Sequence, residues 1–204
     1  MDIPLILFAK APVAGKVKTR LTPDLSYEQA SEVAKHLLEE SLKLATKAWP
    51  GKVVLAVWPD AKNSFIQTQL SVFQVDHLVQ VQGSLGVKML SAMQQCGFPC
   101  AVMGCDVPHC EPVVLQKAYD ALCRGENTLG PTRDGGYYLL GLQQAELALF
   151  ENKNWGESSV LNDSVANAEQ EKIKFTFLEQ LSDIDHYDDL LNASQEMSSL
   201  KQFL

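Results

Sequence analysis

The chain has 204 residues, of which 46% are hydrophobic and 21% are charged, and its 25 Asp and Glu outweigh 17 Lys and Arg to give a net charge of −8. This composition is typical of a globular protein and excludes a disordered chain, a collagen and a coiled coil. The length predicts one domain over residues 1–204. The acidic balance excludes binding of duplex nucleic acid, which needs an extended basic face.

The cysteines and the N-terminus indicate a cytoplasmic protein without membrane insertion. Five cysteines, an odd number, in a chain large enough to fold without disulfides favour a reducing compartment. The apolar run over residues 3–9 is too short to span a bilayer. It follows Asp2 rather than a basic segment, so it does not resemble a secretory signal. The sequence does not indicate an oligomeric state.

The first elements are predicted as strand, basic loop and helix. Residues 3–9 form a continuous apolar run, which is typical of a buried parallel strand. After a polar loop, Ser26 and Gln29 form a capping-box pattern. Apolar residues at helical spacing then continue to about Ala48.

Strands and helices keep alternating along the rest of the chain. Strands are predicted over residues 53–58, 77–81, 100–105, 128–131, 137–142 and 173–178, and helices over residues 62–71, 87–95 and 112–123, with a helical tail from residue 186. We interpret the acidic run before this tail, Asp183, Asp185, Asp188 and Asp189, as a solvated turn and helix start. The alternation predicts a single-domain, three-layer α/β/α fold with a mostly parallel twisted sheet.

The loop after the first strand is a candidate phosphate site, because ligands of open α/β sheets bind beyond the carboxyl ends of the strands. It carries Lys10, Gly15, Lys16, Lys18 and Arg20. Gly15 permits a tight turn, and cations beside free backbone N–H groups are typical of phosphate binding. It is not a Walker A loop, because Lys10 and Val17 stand where that motif needs Gly and Ser or Thr. The alternative is a solvated surface loop.

A second candidate is Asp106, at the tip of the predicted strand over residues 100–105. A carboxylate so placed can hold Mg²⁺ or Mn²⁺ against a diphosphate, because these ions keep water and phosphate oxygens and need only one or two protein ligands. The alternative is that Asp106 caps the turn before Pro108.

The third candidate is the segment from Arg133 to Tyr137, where Gly135 and Gly136 let the backbone approach a ligand. Asp134 is a candidate second metal ligand or general base, and Arg133 a candidate phosphate or acceptor contact. The alternative, an Asp-Gly hairpin turn, is compatible with such a site. Further along, Trp155 is a candidate wall of an acceptor pocket, or else a tryptophan that covers the sheet.

Together these loops resemble a bacterial family of GT-A-like glycosyltransferases, long known as a domain of unknown function, some of whose members are associated with arsenosugar biosynthesis. The motifs that carry the resemblance span residues 8–21, 104–108 and 130–141, joined by residues 82–86, 155–161 and 183–190. The ordered set covers nearly the whole chain. The family is similar to the nucleotide-diphospho-sugar transferases and to small guanylyltransferases, so the resemblance implies a fold of that type.

The resemblance also implies roles for individual residues. It implies that Lys10, Lys18 and Arg20 contact the nucleotide phosphates and that Gly135 and Gly136 border the reacting centre. We predict that Gly15, Lys16 and Gly83 complete the phosphate site, and that the acceptor side is formed by Arg133, Gly135, Gly136, Tyr137 and Trp155. Asp106 would hold Mg²⁺ or Mn²⁺ and, with Asp134, act at the reacting centre.

Three functions are compatible with this sequence. The first is glycosyl transfer from a nucleotide sugar to a small-molecule acceptor, with metal at Asp106, the cationic loop stabilising the departing nucleoside diphosphate, and Asp134 as base. The second is nucleotidyl transfer from a nucleoside triphosphate to a phosphorylated acceptor. The third, a non-catalytic nucleotide-binding protein, is kept open by two departures from the family pattern: Ser84 stands where Asp is expected, and Val87 with Lys88 where an acidic residue and Arg are expected.

Overall fold

The computed structural model of the protein describes residues 2–151 and 153–204. Its strands in this part of the chain are β1 (Leu5–Lys10), β2 (Val53–Trp58), β3 (Asp76–Val79), β4 (Cys100–Gly104), β5 (Asn127–Pro131), β6 (Tyr137–Leu142) and β7 (Phe175–Phe177). The α-helices are α1 (Tyr27–Ala48), α2 (Ser64–Phe73), α3 (Leu85–Cys96), α4 (Pro112–Cys123), α5 (Val160–Gln170) and α6 (Tyr187–Glu196). The predicted alternation of strands and helices is confirmed.

The strands form one seven-stranded sheet in the order β3-β2-β1-β4-β6-β5-β7. β1 pairs in parallel with β2 and β4, β2 with β3, and β5 with β7. β6 is antiparallel to both of its neighbours, β4 and β5. The sheet is therefore mostly parallel, as the sequence predicts.

Helices cover both faces of the sheet and bury its apolar side chains. Leu5 and Leu7 of β1 belong to the cluster packed against α1, α2 and α4, whereas Ile6, between them, belongs to the opposite cluster with Met93 of α3 and Ala168 of α5. This alternation is what a strand buried on both faces requires. It confirms the predicted three-layer α/β/α architecture. Among the described residues, no helix is long and apolar enough to cross a membrane.

α1 begins at the capping box that the sequence predicts. The backbone N–H of Gln29 donates to Oγ of Ser26 at 3.1 Å, and the backbone N–H of Ser26 donates to Oε1 of Gln29 at 2.9 Å. Two N–H groups that the first helical turn leaves unpaired are thus satisfied reciprocally. The predicted helix end at Ala48 is also observed.

β3 ends two residues earlier than the predicted strand over residues 77–81. After Val79 the side chain of Gln80 is buried, and its Nε2 donates to the carbonyl oxygens of Ala9 at 3.2 Å and Ala56 at 2.8 Å. The Gln80 side chain thus bonds to β1 and β2 beyond the end of β3, while its backbone N–H still donates to the carbonyl oxygen of Val57 at 2.9 Å. β1, by contrast, continues to Lys10, which places a cation at the carboxyl edge of the sheet.

The C-terminal segment packs on the outer side of α1. Leu190 and Ala193 of α6 share a cluster with Val33 and Leu37 of α1. The backbone N–H of His186 donates to Oδ2 of Asp189 at 2.7 Å, which caps the start of α6. The predicted helical tail is therefore confirmed.

The topology brings three loops to one edge of the sheet. β1 lies between β2 and β4, so the loops after β1 and β4 separate there and leave a crevice. Because β6 runs antiparallel to β4, the turn between β5 and β6 opens on the same edge.

Leu7, at the centre of β1, is fully buried, whereas Val72 on α2 is 65% exposed. We expect Leu7→Ala to lower the free energy of unfolding by about 2–5 kcal/mol, since it removes buried methyl groups and leaves a cavity. The control Val72→Ala should change it by about 0.5 kcal/mol or less. Urea denaturation followed by circular dichroism measures both; equal effects would contradict the described core.

Candidate functional site

The loop after β1 borders an open pocket of about 410 Å³, here called the cationic pocket. Its lining includes Lys10, Lys16, Lys18 and Arg20, together with Asp106 and Asp185. The sequence predicted these four cations as one phosphate-binding set, and the structure brings all four to one pocket. Lys10 and Lys16 both line the pocket, and within the described part of the chain neither has an ion-pair partner.

The backbone of the loop turns twice into the left-handed region. Gly15 has φ +73°, which an L side chain rarely adopts, and Lys18 has φ +47°. The backbone N–H of Lys16 donates to the carbonyl oxygen of Val13 at 2.9 Å and closes the first turn. The second turn directs the Lys18 side chain into the protein, away from the exposed Lys16.

Lys18 joins three separate segments of the chain. Its side chain is 8% exposed, and its Nζ lies 2.6 Å from Oδ1 of Asp106 and donates to the carbonyl oxygen of Ile184 at 2.5 Å. Oδ1 of Asp185 is 3.6 Å away. Burial alone would lower the pKa of Lys18, but the neighbouring carboxylates, chiefly Asp106, outweigh it and raise the pKa above its ordinary value. Lys18 is therefore a charged ammonium that fixes the position of Asp106.

A second pocket, of about 210 Å³, lies on the other side of Asp106 and is here called the acidic pocket. Four carboxylates line it: Asp106, Asp134, Glu157 and Asp183. Apolar walls are formed by residues that include Phe8, Met89, Val102, Tyr137 and Trp155. Phe8, Asp106 and Gly156 border both pockets. A ligand that fills the two would thus pass Asp106.

The turn between β5 and β6 positions Asp134. Oδ1 of Asp134 accepts hydrogen bonds from the backbone N–H of Gly136 at 3.0 Å and from Oγ1 of Thr132 at 2.5 Å. Asp134 therefore stabilises a hairpin turn, which was one of the two interpretations of the sequence, and at the same time lines the acidic pocket. The carbonyl oxygen of Gly135 accepts from the backbone N–H of Leu161 at 2.8 Å, which holds the turn against the start of α5.

Tyr137 and Trp155 form the aromatic wall of the acidic pocket. Their rings meet edge to face with centroids 6.4 Å apart. The Trp155 ring also packs closely on α3, where a Cβ atom at Gly86 would lie 2.6 Å from it. Both residues were predicted on the acceptor side, and the structure brings them together with Asp134.

Asp183 and Asp185 line the two pockets, so their interpretation as a solvated turn was wrong, whereas Asp188 and Asp189 lie in the first turn of α6, as predicted. Asp185 pairs with Arg20 at 2.7 Å, and Asp183 lines the acidic pocket. Burial, and then the charges of Asp134, Asp185 and Asp106, raise the pKa of Asp183 to about 6. The signal in the sequence is Ile184, an apolar residue between the two acids that is buried against α1 and α6. Its backbone N–H donates to the carbonyl oxygen of Asp106 at 2.9 Å, which holds this segment at the end of β4.

Four predicted site residues do not line either pocket. Arg133 lies on the far side of Asp183 and borders a separate polar pocket with His109. Gly83, with φ +135°, leads into α3, and Gly15 turns the loop without lining it. Gly135 lines neither pocket, because it packs against the backbone carbonyl of Ser158.

Both departures from the family pattern have local structural roles. Oγ of Ser84 accepts from the backbone N–H of Val87 at 3.3 Å and caps α3. Nζ of Lys88 lies 3.7 Å from the centroid of the Trp58 ring, a cation–π contact. Burial and the charge of Lys10 lower the pKa of Lys88, which places these two lysines near the same edge of the sheet.

The donor atoms at Asp106 fit a hard divalent cation. Among residues 2–151 and 153–204, no three His, Cys, Asp or Glu side chains form a group that holds a metal on its own. Mg²⁺ and Mn²⁺ do not need one, because one or two carboxylates suffice when phosphate and water complete the shell. The Asp106 side chain is 51% exposed, and Lys18 contacts only its Oδ1 at ion-pair distance. Asp106, with Asp183 on the same pocket, is thus suited to such an ion.

The fold is that of the nucleotide-diphospho-sugar transferases. A protein from Desulfovibrio desulfuricans G20, provisionally assigned as one, is 26% identical and matches with a TM-score of 0.86 over 99% of this chain and 91% of its own. A manganese complex of Rv0371c from Mycobacterium tuberculosis H37Rv matches at 17% identity and a TM-score of 0.60, over 97% of this chain and 100% of its own. A 4-diphosphocytidyl-2C-methyl-D-erythritol synthase from Anaerococcus prevotii DSM 20548 matches at 11% identity and a TM-score of 0.64, over 97% and 96%.

A match to a family profile defines the family of the chain. The profile of the family described as "Uncharacterized protein conserved in bacteria (DUF2064)" matches residues 41–157, more than half of the chain, and the chain belongs to this family. The predicted resemblance to a bacterial family of unknown function is confirmed at that level. No curated protein matches the sequence significantly.

Gly135 and Gly125 provide a matched pair for testing the turn at the site. Gly135 has φ +94°, and a Cβ atom there would lie 2.0 Å from the carbonyl oxygen of Ser158; Gly125 has φ +81° and open space around it. We expect Gly125→Ala to lower the free energy of unfolding by about 1–2 kcal/mol through backbone strain alone. Gly135→Ala should cost about 1–3 kcal/mol more through the clash. Equal values in thermal and urea denaturation would show that the turn is not held against Ser158.

Asp183 should make stability depend on pH. Its pKa is about 6 in the folded protein against an ordinary value of 3.8, so ionisation opposes folding. Ionisation of Asp183 therefore does not lower the free energy of unfolding below pH 3.8. The loss of stability develops between pH 3.8 and pH 6 and is complete at higher pH. We expect Asp183→Asn to raise the free energy of unfolding at pH 8 by about 1–2 kcal/mol, allowing for screening of a half-buried group. The gain should vanish near pH 3.5, and it should be missing in the exposed control Asp24→Asn; a gain that does not depend on pH would refute the assignment.

Proposed function

We propose that the protein is a metal-dependent transferase that takes a nucleotide-activated donor, and that its reaction is glycosyl transfer from a nucleotide sugar to a small-molecule acceptor. The observation that carries the proposal is the meeting of two pockets of opposite charge at Asp106. The cationic pocket suits a diphosphate, and the acidic pocket suits the group that receives or carries the sugar. The likeness of the fold to nucleotide-diphospho-sugar transferases supports this proposal.

In the cationic pocket, Lys10 and Lys16 bind the phosphates with Arg20 beside them, since neither lysine forms an ion pair with a carboxylate of the described chain. Lys18 contributes by holding Asp106 in place. Asp106 holds the divalent cation, which would stabilise the charge that develops on the departing nucleoside diphosphate. The manganese complex of Rv0371c supports a metal in this fold; whether this chain prefers Mg²⁺ or Mn²⁺ is part of the test below.

On the acceptor side, the hairpin turn fixes Asp134 as the base. A hydroxyl oxygen of the acceptor forms the bond to the anomeric carbon while the bond from that carbon to the diphosphate oxygen breaks. The hydroxyl proton passes to Asp134, and the electron pair leaves with the nucleoside diphosphate. Tyr137 and Trp155 wall the pocket in which the acceptor lies, and the closely packed turn at Gly135 and Gly136 keeps this wall in position.

The second candidate is nucleotidyl transfer, in which the same cationic pocket holds the departing pyrophosphate. It is favoured by the likeness of the fold to cytidylyltransferases, one of them solved with CTP. A non-catalytic nucleotide-binding protein is the third candidate. The cytoplasmic location, and the association of some family members with arsenosugar biosynthesis, stay predictions from the sequence.

A calorimetric panel of nucleotide sugars and nucleoside triphosphates, with and without Mn²⁺ or Mg²⁺, tests the proposal. We expect a nucleotide sugar to bind in a metal-dependent manner, and product analysis to detect the nucleoside diphosphate. Lys16→Ala should weaken binding by about tenfold or more, since it removes a charge-assisted contact. Asp106→Asn should remove the metal dependence of nucleotide binding. The control Lys47→Ala, which replaces an exposed lysine at the far end of α1, should leave binding unchanged.

The outcomes separate the candidates. Release of pyrophosphate from a triphosphate would favour nucleotidyl transfer, and nucleotide binding without turnover would favour the non-catalytic protein. Metal-dependent binding that survives Asp106→Asn would refute the metal assignment.

A further inference from the structure

The two pockets that meet at Asp106 differ in charge in a way that bears on the acceptor. Four cations line the cationic pocket. The acidic pocket is lined by Asp106, Asp134, Glu157 and Asp183, and within the described chain no Lys, Arg or His lines it. An anion placed there would meet carboxylates at close range and find no cation to pair with.

Nearby cations do not neutralise the acidic pocket. Lys18 offsets the charge of Asp106, and Arg20 is paired with Asp185, outside the pocket. Arg133 borders a different pocket beyond Asp183. A divalent ion at Asp106 would offset two charges, but Asp134, Glu157 and Asp183 would still face the ligand.

The four carboxylates act on a ligand together, because all of them line one pocket of only about 210 Å³. Each carboxylate within about 4 Å of a ligand's negative charge would weaken binding by about fivefold even in a watery environment. Carboxylates instead accept hydrogen bonds from hydroxyl and ammonium groups.

The apolar side chains that line the acidic pocket indicate which uncharged groups a ligand would carry. The Tyr137 and Trp155 rings with Phe8 and Met89 offer an apolar surface beside the carboxylates. Such a surface packs against the C–H face of a sugar or polyol, or against an organic cation. The volume of about 210 Å³ lies below the roughly 300–1,000 Å³ of pockets for drug-sized ligands, so the group is small.

We propose that the acidic pocket takes a small polyhydroxylated acceptor that is neutral or carries an amine, and that it rejects phosphorylated acceptors. This proposal rests on the proposed function, because it takes the acidic pocket to be the acceptor side of that reaction. It goes further by naming the acceptor class, and it favours glycosyl transfer over nucleotidyl transfer to a phosphorylated acceptor.

Matched pairs of compounds test this proposal on the full chain. The pairs are glycerol with glycerol 3-phosphate, glucose with glucose 6-phosphate, and glucosamine with glucosamine 6-phosphate. Saturation-transfer NMR titrations at low salt are run on the chain alone and on the chain saturated with a nucleoside diphosphate and Mg²⁺, which is diamagnetic. We expect the unphosphorylated member to bind at least tenfold more tightly in the pairs that bind.

Variants connect the preference to the pocket. Glu157→Gln and Asp183→Asn should each narrow the ratio of affinities by about fivefold at low ionic strength, because each removes one repulsive charge. Glu171→Gln, at the exposed end of α5, should leave the ratio unchanged. Thermal melts check that each variant is folded.

Equal or tighter binding of the phosphorylated members would overturn the proposal, and so would binding of no member of any pair. A ratio that neither Glu157→Gln nor Asp183→Asn narrows would overturn it too. Failure of the proposed function is a separate result: the nucleotide panel would find no ligand for the cationic pocket, while the chain without nucleotide would still discriminate within each pair.

Discussion

The ion pair between Lys18 and Asp106 is the interaction on which the candidate site depends. Lys18 comes from the loop after β1, Asp106 from the end of β4, and the Ile184 carbonyl from the segment before α6. A nearly buried ammonium is costly unless it is paired and hydrogen-bonded. The three segments are therefore stable together in this arrangement, and Asp106 is held where the two pockets meet.

The sheet order explains why this contact forms at a crevice. The chain leaves β1 toward β2 on one side and returns on the other side as β4, so the loops after these two strands diverge. Lys18 spans the gap between them. The antiparallel β6 adds the hairpin turn with Asp134 to the same edge, which a sheet of parallel strands alone would not do.

Much of the fold could be predicted because its signals are local. Apolar runs indicated the central strands, and Ser26 with Gln29 indicated the start of α1, since a capping box involves residues only three apart. The burial of Gln80 was missed because its side-chain hydrogen bonds go to β1 and β2, which no local pattern predicts.

The site was predictable in part for the same reason. Lys10 ends β1 and Asp106 lies two residues after β4, so the place of both at the sheet edge follows from the strands themselves. Lys16 lies further along the loop that begins at Lys10. Asp183 and Asp185 lie in an acidic run that looks like a solvated turn in sequence. Their place at the site depends on the long-range contacts of Ile184 and Lys18. The burial of Lys18 likewise follows from partners more than eighty residues away in the chain, whereas its neighbour Lys16 stays exposed.

The two pockets draw their walls from chain segments that are far apart. Residues 10–20 dominate one pocket, and residues 132–137 and 155–160 much of the other, with Phe8, Asp106 and Gly156 in common. Mutations that reshape the second set need not touch the first. Under the proposed function, a new acceptor would be acquired by substitutions in the hairpin turn and at the start of α5, while the residues that bind the activated donor are inherited unchanged.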